Sequence, residues 1–224
     1  MKKNSKFQIG MMLISVLIIS ISISFTGCLD EPIQLDGVEV REYQGEKLSS
    51  VNDFRENSIK GPQEINKDDY ELKITGLVQN PFTKSYDEFI TNYQSYKKVV
   101  RLHCVEGWSV NILWEGVLVK DIIDEVQPTD EAKIIIFHAE DGYTTSLPID
   151  YIIENNILMA YKMNNVTLPI ERGFPFQLVA ESKWGYKWIK WITEIEFSSN
   201  ESYEGYWEQR GYSNSANLTE GFFD

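Results

Sequence analysis

Along Tyr70-Glu71-Leu72-Lys73-Ile74-Thr75-Gly76-Leu77-Val78, apolar and polar residues alternate until Asn80-Pro81 breaks the run. Alternation of this kind predicts a strand with one buried face, ended by a turn. Lys98 to Leu102 predicts a second strand, with Cys104 delivered just beyond its end. Ser85 to Tyr93 suits a short helix, and Leu118 to Val126 has helical spacing that stops before Pro128. Ala132 to His138 is strongly β-branched and runs into the turn pair Asp141-Gly142. Ile149 to Asn156 predicts another short helix, and Leu158–Met163, Phe176–Val179 and Ile192–Phe197 predict further strands. Strands outnumber helices, connections are short, and neither an internal repeat nor a βαβ repeat is present. The fold class that follows is α+β, with mostly antiparallel or mixed sheets and short helices.

The pattern changes at both ends. Lysines at positions 2, 3 and 6 precede an uncharged run from Gln8 to Thr26 and a small residue before Cys28. That is the order of an export signal, and Phe25-Thr26-Gly27-Cys28 resembles a lipoprotein cleavage box. An uncleaved membrane anchor is the alternative, since the run is long enough. Either reading places the protein on the extracytoplasmic face of the membrane, tethered to it, with 1–28 as leader, 29–50 as linker and 51–224 as the folded domain. Lipidation of Cys28 would leave Cys104 without a partner in the chain, which excludes structural disulfides. The last 25 residues are polar and aromatic, as expected of a segment that wraps the surface.

Composition narrows the function classes. The 12 Tyr, 11 Phe and 6 Trp argue for a packed domain, and the formal charge of −13 argues against nucleic acid as a partner. Sequons at Asn165, Asn200 and Asn217 carry little information by themselves.

Cys104 is the residue with chemical promise. It could be a small buried hydrophobe, a nucleophile served by His103 or His138, or a soft metal ligand. One cysteine cannot hold zinc unaided, and the chain has no CxxC or HxxxH. Strand ends are where sites collect, but the residue types alone leave these alternatives open.

The wider motif says more. Arg101-Leu102-His103-Cys104-Val105-Glu106-Gly107-Trp108-Ser109-Val110, followed by Trp114-Glu115-Gly116-Val117, resembles the core signature of the sulfite oxidase family of molybdopterin-dependent oxidoreductases. The similarity is strongest to the single-domain branch that includes periplasmic methionine-sulfoxide-reductase catalytic subunits. Phe54-Arg55-Glu56-Asn57-Ser58, Asp141-Gly142-Tyr143, Ala160-Tyr161-Lys162-Met163-Asn164, Glu171-Arg172-Gly173-Phe174-Pro175 and Gly185-Tyr186-Lys187-Trp188-Ile189-Lys190-Trp191 recur in the same order.

The resemblance implies a sulfite-oxidase-type molybdopterin-binding domain in which Cys104 is the protein's ligand to the metal. The implied cofactor is Mo-molybdopterin, or its tungsten analogue, whose dithiolene is the same. It further implies cofactor contacts from Asn57, Ser58, Ala139, Asp141, Arg172, Gln177, Trp188, Ile189 and Lys190. Where the family usually places His or Asn before the glycine and Arg four residues after it, this chain has Arg172 and Gln177, so the positive charge has moved along the loop. Trp184, Trp188 and Trp191 read as core and pocket wall, His103 and His138 as satisfying backbone contacts, and Glu106 as a neighbour of the site by proximity. Val105-Glu106-Gly107-Trp108 replaces the arginine-bearing stretch of sulfite oxidases proper, which disfavours sulfite. No haem-attachment CxxCH, no immunoglobulin-like domain and no twin-arginine pair is found. The implied function is oxygen-atom transfer to or from a small-molecule substrate, reductive toward an oxidised sulfur or nitrogen compound. Electrons would be exchanged with a separate partner, a membrane cytochrome or quinone-linked protein. The alternative is a cofactor-free binding lipoprotein that keeps the fold. The retained thiol favours the enzyme, since a binder gains nothing from an oxidisable cysteine.

Overall fold

The computed structural model describes residues 37–223. The leader 1–28, Cys28 and the first part of the expected linker lie outside the described residues.

A short hairpin, β1 (Glu42–Tyr43) with β2 (Glu46–Lys47), precedes the main body. One five-stranded sheet is built from β3 (Glu71–Gly76), β4 (Phe82–Ser85), β7 (Ile134–Ala139), β8 (Thr144–Pro148) and β12 (Ile192–Ser198). Its order is β4-β3-β12-β7-β8, antiparallel except for the parallel pair β3 and β12. The second sheet contains β5 (Tyr96–His103), β6 (Ser109–Leu118), β9 (Leu158–Met163), β10 (Val166–Thr167) and β11 (Gln177–Val179). Here β9 pairs antiparallel with β6, β10 and β11, and β6 pairs with β5. Among the described residues, three α-helices, α1 (Tyr86–Asn92), α2 (Val119–Val126) and α3 (Ile149–Glu154), connect strands. This is the α+β, mostly antiparallel arrangement that the residue pattern predicts.

Local chemistry explains most boundaries. In β3 the alternation works as expected, with Leu72 and Ile74 buried and Glu71 and Lys73 exposed. Helix α1 starts at a capping box: the Ser85 hydroxyl accepts from the Glu88 N–H, and the Glu88 carboxylate accepts from the Ser85 N–H. Helix α2 buries Val119, Ile122, Ile123 and Val126, one face at helical spacing.

Strand β6 has no sequence-level expectation behind it because both of its faces are covered. From Ile112 to Leu118 every residue is buried, so the polar beat of a half-exposed strand is missing. At Gly116 it bulges against β9, where a Cβ would lie 2.2 Å from the Met159 carbonyl oxygen. Strand β8 escapes notice for the opposite reason, since its buried interior includes Thr145 and Ser146.

The linker expectation needs correction over its second half. Leu48 is buried, the Ser49 N–H donates to the Asn111 carbonyl, and the Val40 N–H donates to the Asn164 carbonyl. Glu39 accepts from the Val51 N–H at 2.8 Å, the Asn164 amide at 3.1 Å and the Ser50 hydroxyl at 3.0 Å. Polar side chains that read as solvated linker satisfy main-chain groups of the domain instead.

Candidate active site

Cys104 follows the last residue of β5 and opens a tight turn into β6. Its N–H donates to the Trp108 carbonyl at 2.9 Å, and its carbonyl accepts from the Gly107 N–H at 3.1 Å. Gly107 has φ +89°, a conformation that costs glycine nothing. The turn holds the thiol at the wall of a cleft of about 450 Å³ with only 9 % of the residue exposed.

Two N–H groups approach the sulfur, Asn57 Nδ2 at 3.6 Å and the Glu106 main-chain N–H at 3.5 Å. The Glu106 carboxylate in turn accepts from Asn57 Nδ2 at 3.3 Å and Trp108 Nε1 at 3.1 Å. Those two donors hold the Glu106 carboxyl below its usual range, so it is a fixed negative charge beside the thiol. Burial raises the Cys104 thiol above its ordinary value and the Glu106 charge adds to this, while the N–H donors oppose it.

The cleft brings together most of the residues singled out in the sequence. Asn57, Ser58, Cys104, Asp141, Arg172, Gln177, Trp188, Ile189 and Lys190 all line it. Ala139 does not: its N–H donates to the Tyr143 carbonyl, and it closes the β7 turn that carries Asp141. Asp141 is 1 % exposed; its Oδ1 accepts from the Tyr143 N–H at 2.9 Å, while Oδ2 has no hydrogen-bond partner among the described residues. A buried carboxylate oxygen without a donor carries a desolvation cost of the kind that a ligand relieves.

Arg172, read from the sequence as a charge moved along the loop, lines the cleft but directs its donors to main chain. Its guanidinium donates to the carbonyls of Val51 at 2.8 Å, Phe54 at 2.6 Å and Arg55 at 3.2 Å, and its charge centre sits 3.8 Å from the Phe54 ring centroid. It therefore clamps the loop that carries Asn57 and Ser58. Lys190 is a second, partly buried cation of the cleft, held by Glu56 at 2.5 Å and lying over the Trp191 ring. Gly173, at φ +97°, makes room for its stem, since a Cβ there would meet Lys190 Cβ and Cγ at 2.9 Å. Burial is the largest influence on both cations and lowers both below their usual values.

The two histidines are not among the lining residues. His138 pairs with the Glu196 carboxylate at 2.9 Å, a side-chain partner in place of the expected backbone one. Trp188 and Trp191 are buried wall residues; Trp184 is outside the lining and stacks edge-on against Phe222. Phe54 and Trp108, whose rings stand 5.6 Å apart in the cleft, Tyr143 and Tyr186 belong to the sequence motifs but are assigned no role by them, and sequence reasoning misses Trp207 and Tyr212 altogether. The aromatic richness of the final segment was the available signal for the last two.

With this geometry in view, comparison with known proteins is decisive. Residues 59–207 match the model of the oxidoreductase molybdopterin binding domain. The chain belongs to this family. It is a molybdopterin-dependent oxidoreductase of the sulfite oxidase type, with Mo-molybdopterin as its cofactor. The chain is 35 % identical over 144 residues to the uncharacterized oxidoreductase YuiH of Bacillus subtilis, covering 64 % of this chain and 72 % of that protein. It is 29 % identical over 173 residues to the protein-methionine-sulfoxide reductase catalytic subunit MsrP of Xanthomonas campestris, covering 68 % of this chain and 54 % of the relative. The chain thus spans about half the length of that reductase. Among solved structures, the sulfane dehydrogenase SoxCD of Paracoccus pantotrophus shares the fold, with a TM-score of 0.61 at 20 % identity over 67 % of this chain and 42 % of that one.

Proposed function

We propose that this oxidoreductase works on the extracytoplasmic face of the cell membrane, tethered by its N-terminal segment, and catalyses oxygen-atom transfer to or from a small molecule. Its direction in this reading is reductive, toward an oxidised sulfur or nitrogen compound, with electrons supplied by a separate membrane cytochrome or quinone-linked protein. The observation that carries the reading is one thiol, Cys104, at the wall of an aromatic cleft, with Asn57 Nδ2 at 3.6 Å and the Glu106 N–H at 3.5 Å from its sulfur.

The residues present fit the cofactor. Cys104 would hold the metal as a thiolate, the soft ligand it requires. Asn57, Ser58, Gln177 and the segment Trp188-Ile189-Lys190 offer polar contacts along the cleft. The unpartnered Oδ2 of Asp141 would accept from a donor on the cofactor, and Lys190, paired with Glu56, would offer the ammonium that a phosphate takes. When bound, the cofactor supplies the two-electron, oxygen-transferring chemistry, and the chain supplies position and electrostatics. Asn57, braced by Glu106, holds an N–H toward the sulfur. Ionised Glu106, exposed beside Cys104, repels oxyanions there, which favours neutral or cationic substrates over sulfite. Phe54 and Trp108 line the same part of the cleft with two apolar rings, 5.6 Å apart. The relative named as a methionine-sulfoxide reductase supports the reductive direction.

The test is elemental analysis for molybdenum and tungsten on protein purified from its native membrane, beside Cys104→Ser, followed by turnover of sulfoxides and N-oxides with a reduced dye. Stoichiometric metal lost in the variant, with turnover of either class, upholds the reading. Metal without turnover of either class, or no metal where a control molybdoenzyme loads, overturns it; the second result leaves a tethered binding module.

A further inference from the structure

The C-terminal segment has no part in that chemistry, yet it builds some of the cleft. Trp207 and Tyr212 line the same cavity as Cys104. The family match ends at Trp207, so Tyr212 and the residues that fasten it lie beyond the matched region.

Only a short path separates the sulfur-bearing turn from this wall. A Cβ on Gly185 would lie 3.1 Å from the His103 carbonyl oxygen and 3.6 Å from Cys104 Cα. The next residue, Tyr186, donates its hydroxyl to the Ser213 carbonyl at 2.8 Å, and its ring stands 5.2 Å from that of Tyr212. Tyr212 stands 5.1 Å from Trp207.

The segment is also firmly fixed. The Lys187 ammonium donates to Glu208 at 2.5 Å, to the Asn214 side chain at 3.0 Å and to the Ser146 carbonyl at 3.2 Å, with both members of the ion pair fully buried. The Lys183 ammonium reaches the Ser215 carbonyl and the Asn217 side chain, and the Trp184 N–H donates to the Ala216 carbonyl. These contacts fasten the segment to the domain as a wall of the cleft.

We propose that Trp207 and Tyr212 set the size of what reaches the Cys104 sulfur, and so determine specificity at this site. Compact small molecules are admitted, and groups held on a bulky or folded carrier are excluded. As a statement about substrates this rests on the cleft being the site of oxygen-atom transfer. As a statement about access it does not.

The experiment uses the full chain carrying Cys28→Ser, so that Cys104 is the sole thiol, produced without molybdate. Alkylation of Cys104 is timed by mass spectrometry with iodoacetamide as the small reagent and pyrenyl maleimide as the bulky one. Tyr212→Ala should raise the bulky rate about tenfold, the discrimination that one pocket group commonly supplies, and leave the iodoacetamide rate unchanged. Tyr212→Trp should lower the bulky rate. Ile153→Ala, exposed on α3 and outside the lining, should change neither. A bulky-to-small ratio that both Tyr212 variants leave unmoved overturns the proposal, as does equal acceleration of both reagents, which would reflect a loosened fold. A shifted ratio in a protein that binds no metal would sink the oxygen-transfer reading and leave the size limit standing.

Discussion

The guanidinium carbon of Arg172 lies 3.8 Å from the centre of the Phe54 ring while its Nη2 donates to the Phe54 carbonyl oxygen at 2.6 Å. One side chain thus holds the loop by its aromatic face and by its main chain, and the carbonyls of Val51 and Arg55 complete the grip. The loop's cargo is Asn57, whose amide points at the Cys104 sulfur.

Arg172→Lys keeps the charge and loses the planar fork. It should cost about 2–3 kcal/mol, since charged donors to one buried and two part-buried carbonyls are lost, and should also lower cofactor retention. Urea unfolding and metal content read the two effects. If the side chain acted only as a cofactor-facing charge, the lysine variant would keep both.

The Lys187–Glu208 pair is fully buried, with Thr145 donating to the same carboxylate oxygen at 2.7 Å. Lys187→Met leaves a carboxylate buried without its counter-charge and should destabilise by about 3–5 kcal/mol. The double variant Lys187→Met/Glu208→Leu should recover a large part of that loss. A double-mutant cycle by chemical denaturation checks this. Additive single losses would show that the two groups do not stabilise each other.

Legibility in the sequence followed exposure. Strands with one wet face, such as β3, and helices with one apolar face, such as α2, show their period and are placed within a residue or two. β6 is covered on both sides and β8 has a polar interior, so neither shows one. At the site, Cys104 and Asn57 were visible through the motif that contains them. What Arg172 touches was not, because a cation buried on main-chain carbonyls and one on a phosphate carry the same letter. Trp207 and Tyr212 were hidden by distance, since they reach the cleft from a tail that only the tertiary fold brings back.

Acid should expose the role of the residues before the main body. Burial is the largest single influence on Glu39 and would raise its carboxyl; the donors Val51 N–H, Asn164 and Ser50, with the Arg41 charge, outweigh it and hold the folded carboxyl below its usual range. The unfolded chain therefore binds the proton first as pH falls. The stabilisation is fully present above the unfolded value and is lost as pH drops through the lower, folded one. Glu39→Gln should flatten that part of the stability–pH curve and change little near neutrality beyond a constant offset. Thermal melts of both proteins between neutral and acid pH test it; parallel curves would remove Glu39 from the account.

Gly185 offers a way to move the sulfur without touching it. The backbone there requires no left-handed conformation, so glycine is needed for space alone: an added Cβ would stand 3.1 Å from the His103 carbonyl oxygen and 3.6 Å from Cys104 Cα. The first of these is tight enough that the turn must yield by a few tenths of an ångström. Gly185→Ala also removes freedom from the unfolded chain, a gain of about 0.4–1 kcal/mol that offsets part of the crowding. Global stability should therefore change little, while metal content falls, because ligation tolerates displacement poorly. Gly185→Val should enlarge both effects. Calorimetry beside metal analysis separates them, and full metal content in both variants would mean that the Cys104 turn has slack on this side.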